Sequence, residues 1–106
     1  MDSHSGVEQT ATIAQTGTVS GAVDLGGHYA YLLIVIPTVD SCKLSLQVSV
    51  SLNGTYQDYG KSITTLTTTG AYSDTWKLGG WRFIKVKASA AQNTAARAFT
   101  VKGVTY

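Results

Sequence analysis

The chain has 106 residues, one cysteine, one proline and a formal net charge of +2, from eight Lys or Arg against six Asp or Glu. That length supports a single core that buries roughly two-thirds of the unfolded surface without help from metal or disulfide. So small a charge excludes a strongly basic nucleic-acid binder, and the lone Cys42 excludes an internal disulfide.

Fifteen threonines, eleven glycines and abundant Val, Ile and Tyr favour strands and turns over helices, because branched and aromatic side chains suit a pleated surface. The expected class is all-β. The start, Met1-Asp2-Ser3-His4-Ser5-Gly6, has neither a basic nor an apolar leader segment, and the apolar run at residues 29–36 is far short of the roughly 20 residues that cross a bilayer. The reading is a soluble protein made in the cytoplasm, with no membrane partner.

Residues 1–17 are polar and small, with Val7 and Ile13 as isolated apolar anchors, which describes an N-terminal arm ahead of a domain at 18–106. Thr18 to Leu25 alternates, placing Val19, Val23 and Leu25 on one face, and Gly26-Gly27 ends it. The next strand, Tyr29 to Ile36, is apolar at every position. It sets Tyr29, Tyr31, Leu33 and Val35 on one face and Ala30, Leu32, Ile34 and Ile36 on the other. An antiparallel sheet in a small domain normally turns one face to water, so both faces of this strand ask for cover, from the arm or from another molecule. Pro37, which has no N–H for a ladder, is expected to stop it.

Lys43 to Leu52 alternates cleanly, with Leu44, Leu46, Val48, Val50 and Leu52 inward. Asn53-Gly54 then suits a type I′ hairpin into Thr55 to Tyr59. A strict two-residue turn would set Val48 opposite Tyr59 but inward Val50 opposite Gln57, a conflict that a longer loop or a bulge near Tyr56 relieves. Further strands are expected at 61–68, 71–77, 81–88 and 97–105, with an Ala-rich loop between the last two. In the strand from Trp81 to Ala88, Trp81 and Phe83 share one face while Ile84, Val86 and Ala88 share the other. A tight hairpin at Gly79-Gly80 would place Trp76 opposite Phe83. Seven or eight strands in about 100 residues make a two-sheet antiparallel sandwich or a small jelly roll.

Chemistry-bearing motifs are sparse. His4 and His28 have no Cys or carboxylate at ligand spacing, and Asp24, Asp40, Asp58 and Asp74 each lie near an expected turn, where Asp bonds local backbone. There is no nucleophile elbow and no phosphate-cradling loop leading into a helix, so the reading assigns no catalytic, cofactor or metal residues. Basic residues concentrate in the second half, where seven Lys or Arg stand against Asp74 alone, whereas Lys43 faces five carboxylates in residues 1–60. Spread over solvated strand faces, that excess does not call for nucleic acid. Tyr56, Tyr59, Trp76 and Trp81 form a candidate platform for a sugar ring, weighed against ordinary core or subunit contact.

The run Val48-Ser49-Val50-Ser51-Leu52-Asn53-Gly54-Thr55-Tyr56-Gln57-Asp58-Tyr59, followed by Trp81-Arg82-Phe83-Ile84-Lys85-Val86-Lys87, resembles small β-sandwich virion proteins of tailed bacteriophages. The resemblance spans about Thr10 to Tyr106 and implies a capsid cement or decoration protein, without chemistry. Such a protein would bind the major capsid protein on the capsid surface, commonly as a homotrimer. Val7 and Ile13 would then anchor the arm on the capsid, and Tyr29, Tyr31, Leu33, Val35, Trp81 and Phe83 become candidates for a subunit interface. The alternatives are a glycan-binding module of a tail or fibre, using Tyr56, Tyr59, Trp76 and Trp81, and a neck or tail connector.

Overall fold

A computed structural model describes residues 4–60 and 64–106. Among the described residues nine strands follow in chain order: β1 (His4–Ser5), β2 (Gln9–Ile13), β3 (Val23–Asp24), β4 (Tyr31–Cys42), β5 (Leu44–Ser49), β6 (Gln57–Asp58), β7 (Thr68–Lys77), β8 (Phe83–Ala88) and β9 (Arg97–Thr105). They form two antiparallel sheets. Sheet A runs β1-β9-β4-β7, with β2 also paired to β9, and sheet B runs β3-β8-β5-β6. The all-β sandwich expected from composition and turn chemistry is the fold observed.

Alternation builds the core. Leu32, Ile34 and Ile36 of β4, with Phe99 and Val101 of β9, face Leu44, Leu46 and Val48 of β5 and Ile84, Val86 and Ala88 of β8. Ala11 and Ile13 of β2 complete this cluster, Ile13 being 0% exposed. The segment read as an arm thus contributes a strand, aligned from Gln9↔Val101 to Ile13↔Arg97. Two buried residues in five, spaced by two, suffice once β9 offers a partner edge.

Pro37 does not stop β4, which continues to Cys42. Beyond Val35 the strand pairs with β7 alone, so it is an edge there and a residue without an N–H is tolerated. The ladder with β7 is irregular past Thr38, where Gly70 and Ala71 both take positive φ. Gly70 is packed so closely on Pro37 that a Cβ would strike the Pro37 carbonyl oxygen.

The Asn53-Gly54 region makes the longer of the two connections considered. Val48 pairs with Gln57 and Gln47 with Asp58, β5 ends at Ser49, and Val50 is 85% exposed. Gly79-Gly80 does not form a hairpin. Both glycines have positive φ, and the turn carries the chain from β7 in sheet A to β8 in sheet B, so Trp76 and Phe83 end up in different sheets. Residues 18–25 give only the short β3, because they bond both sheets: Gly21 N donates to Thr12 O, and Ser20 N to Val86 O. The strand expected at 61–68 falls partly on 61–63, outside the described residues; Thr64 makes an isolated bridge to Ser45.

Candidate functional site

The outer face of sheet A is built around β4. Tyr31, Leu33 and Val35 point away from the core, because their neighbours Leu32, Ile34 and Ile36 fill it. Cross-strand partners frame this stripe on both sides. Tyr31 lies between Lys77 of β7 and Val104 of β9, Leu33 between Thr75 and Lys102, and Val35 between Ser73 and Thr100. Tyr31 stays 38% exposed and Val35 51% exposed, and Leu33 is half-buried. Tyr106 leans on Tyr31 with ring centroids 5.7 Å apart, and Val104 is buried on this same face outside the core cluster.

The described part of the N-terminal segment, from residue 4, does not cover the stripe. It lies beside β9 in the plane of sheet A, widening the sheet instead of shielding it. Val7, between β1 and β2, is 73% exposed, while its companion anchor Ile13 belongs to the core. Tyr29 leaves the expected row. It precedes β4, packs against the core cluster, and lies so near Gly103 that a Cβ there would meet its ring.

The outer face of sheet B has different electrostatics. Arg82 donates to both carboxylate oxygens of Asp24, at 2.7 and 3.1 Å. Its Cζ also sits 5.2 Å from the centre of the half-buried Phe83 ring. Lys87 donates to Asp58 at 3.1 Å, and Lys85 stands 4.5 Å over the Tyr56 ring. The Arg82 hydrogen bond lowers the Asp24 pKa, and the Lys87 hydrogen bond does the same for Asp58. Arg82 and Lys87 thus have carboxylate partners within the chain, and Lys85 an aromatic one.

The four aromatic residues of the sugar-platform reading do not form one surface. Trp76 is buried in the core, its Nε1 donating to Asp74 at 3.0 Å. Tyr56 lies on the outer face of sheet B, its phenol donating to Leu52 O. Only Tyr59 and Trp81 meet, edge to face at 6.4 Å, where they pack against the core at one end of the sandwich. Two hollows of about 300 and about 400 Å³ flank that end and share Ser49, Val50 and Trp81. Sequence reasoning missed Val50 as a surface residue, because its alternation with Leu46 and Val48 reads as inward; the shift of pairing to Val48↔Gln57 exposes it.

Among the described residues, reactive groups are not assembled. Cys42 is buried, and burial raises its thiol pKa, which disfavours the thiolate a nucleophile needs. Among the described residues no group of three His, Cys, Asp or Glu could hold a metal ion, and no helix is long and apolar enough to cross a membrane. His28 Nδ1 lies 2.8 Å from Gly80 O, as part of a turn contact.

The fold and these surfaces define an all-β sandwich with one face of internally partnered cations and one apolar face rimmed by lysine. No protein-family model matches the chain, and no curated protein matches it. Among solved structures it is similar to the SPBc2 prophage-derived protein YomS, with a TM-score of 0.62 and 16% identity over 99% of this chain and 96% of that one. That likeness shows a shared fold over the full length. Looser likenesses include the cyanophage Pam1 capsid asymmetric unit, at TM-score 0.43 and 15% identity over 97% of this chain and 83% of that one. Another is the xylan-binding module CBM86 of Roseburia intestinalis, at TM-score 0.48 and 11% identity over 92% of this chain and 95% of that one. Neither of these two contributes to the functional reading.

Proposed function

We propose that this chain is a structural, non-catalytic virion protein of a tailed bacteriophage, of the capsid cement or decoration type, which binds the major capsid protein as a homotrimer on the capsid surface. The observation that carries the reading is the Tyr31-Leu33-Val35 stripe, exposed on a sandwich whose core is otherwise closed. A contiguous apolar strip in the middle of a sheet face, not scattered at its edges, marks a surface meant for a partner. The full-length fold likeness to a prophage-derived protein supports a phage setting. Many weak contacts repeated by capsid symmetry suit such a strip, since linked copies gain avidity without any one tight site.

In this reading Val7 is the segment contact that reaches a neighbour, because Ile13 is committed to the core. Trimer contacts fall to the end carrying Trp81 and Phe83, beside exposed Val50. The test is co-sedimentation of the purified chain with phage heads assembled without it, together with mass spectrometry of intact virions. The chain is expected in virions and in the head pellet; its absence from both would end the proposal.

A second reading keeps a glycan at the Tyr59-Trp81 end, favoured by the two adjoining hollows there. Trp81 fluorescence, isolated in a Trp76→Phe background, should respond to a bound oligosaccharide. A flat titration across neutral and acidic glycans removes this reading.

A further inference from the structure

Lys77 and Lys102 stand on either side of the apolar stripe, level with Tyr31 and Leu33, and neither forms an ion pair with a described carboxylate. The residues paired with the stripe are Ser73, Thr75 and Lys77 of β7 and Thr100, Lys102 and Val104 of β9, and none is Asp or Glu. Glu8, exposed just ahead of β2 in the row of Thr10 and Thr12, forms no ion pair with Lys102. On the opposite face Arg82 and Lys87 have carboxylate partners and Lys85 has an aromatic one. Each of these three cations has a partner within the chain, whereas Lys77 and Lys102 have no carboxylate partner and stand beside an apolar centre.

We infer that the outer face of sheet A is the docking face, and that its occupant is a protein surface with an apolar centre and a carboxylate rim; this rests on the virion reading above. A second copy of the chain is the poorer occupant. Two such faces apposed would bring lysines together with no carboxylate among the residues paired with the stripe in either copy, and like charges at an interface are penalised. A nucleic acid is poorer still, since phosphates would meet two lysines and leave Leu33 and Val35 uncovered. An acidic rim answers both parts of the surface. Carboxylates opposite Lys77 and Lys102 set orientation and speed encounter, while burial of Tyr31, Leu33 and Val35 holds the complex. Both lysines reach out from strands, so their stems can cover apolar surface while the ammonium groups stay at the rim.

The experiment compares wild type, Lys77→Glu/Lys102→Glu, Val35→Glu and the control Lys43→Glu for binding to heads assembled without this protein, at low and high salt. Lys43 lies in the turn between β4 and β5, away from the face. Circular dichroism melts establish that each variant is folded. The double reversal and Val35→Glu should each weaken binding about tenfold or more, wild-type binding should weaken with salt, and Lys43→Glu should bind as wild type. Wild-type binding with an unaffected double reversal would overturn this inference and leave the virion reading standing. No binding by wild type would overturn both. A dimer of the free chain that Val35→Glu dissolves would make a second copy the occupant and overturn the acidic partner.

Discussion

Asp40 shows how a single carboxylate closes one end of the sandwich. It accepts from Thr94 Oγ1 at 2.8 Å, from the Asn93 and Thr94 backbone N–H groups at 2.6 and 3.2 Å, and from Arg97 at 3.0 Å. These bonds, the Thr94 hydroxyl first, hold its pKa below the ordinary 3.8. A carboxylate depressed in the folded state stabilises it above the unfolded pKa, and that contribution is lost as pH falls through the folded value. Thermal melts should therefore drop in Tm as pH falls below about 4. Asp40→Asn should lower Tm at neutral pH and flatten that acid limb; an unchanged limb would assign it to Asp24 and Asp58, which are depressed in the same direction. Beneath Asp40, fully buried Gln92 accepts from Asp40 N at 2.7 Å and donates to Ala90 O at 3.1 Å. Gln92→Ala strands those backbone groups, and a denaturant titration should show a loss of about 1–3 kcal/mol. Sequence pattern placed Asp40 near a turn with local backbone to bond; it lies instead within β4 and bonds residues 93–97, and Gln92 in an Ala-rich loop gives no sign of burial.

At the scale of elements, β2 and the β4–β7 ladder carry the main differences between pattern and structure. Five residues with only two apolar side chains, Ala11 and Ile13, read as an arm because strand formation there depends on β9, some 90 residues away in sequence. Ile13→Ala should cost about 2–5 kcal/mol in chemical denaturation, the range for emptying a closed core site. A loss well below that would mean β2 peels away readily, as an arm would. For the same reason, deleting residues 2–14 removes a strand and does not isolate a docking segment; Val7→Glu is the cleaner probe of a partner contact. Gly70, at φ +83 and against the Pro37 carbonyl, is the point where the long β4 and β7 stay paired past the proline. Gly70→Ala combines left-handed strain with that clash and should destabilise by on the order of 1–3 kcal/mol, read as a lower denaturant midpoint.

For the whole molecule, the two outer faces differ more than a net charge of +2 suggests. Ion pairs absorb Arg82, Lys87 and Arg97, leaving Lys77 and Lys102 beside the apolar stripe. Light scattering over a range of concentrations reads the oligomeric part of the proposal. A trimer mass keeps the symmetric assembly, whereas a monomer at all concentrations restricts assembly to the capsid lattice and removes the preformed trimer.

The all-β class, the two-sided apolar strand, the half-buried strand from Leu44 and the last strand, Arg97–Thr105, were legible in the chain alone, because alternation and turn chemistry are local properties. That Tyr31, Leu33 and Val35 share a face opposite Leu32, Ile34 and Ile36 was equally local. Tertiary structure decided the rest. Which strands share a sheet determined that Gly79-Gly80 crosses between sheets, that Trp76 is core while Trp81 stays at an end, and that Val50 faces out. Pairing between strands leaves no periodic mark in either segment, so register and face can be settled only when the strands meet. The lysine-rimmed docking face is of that kind: Lys77, Tyr31 and Lys102 come from three separate strands, and only the pairing of β7, β4 and β9 sets them side by side.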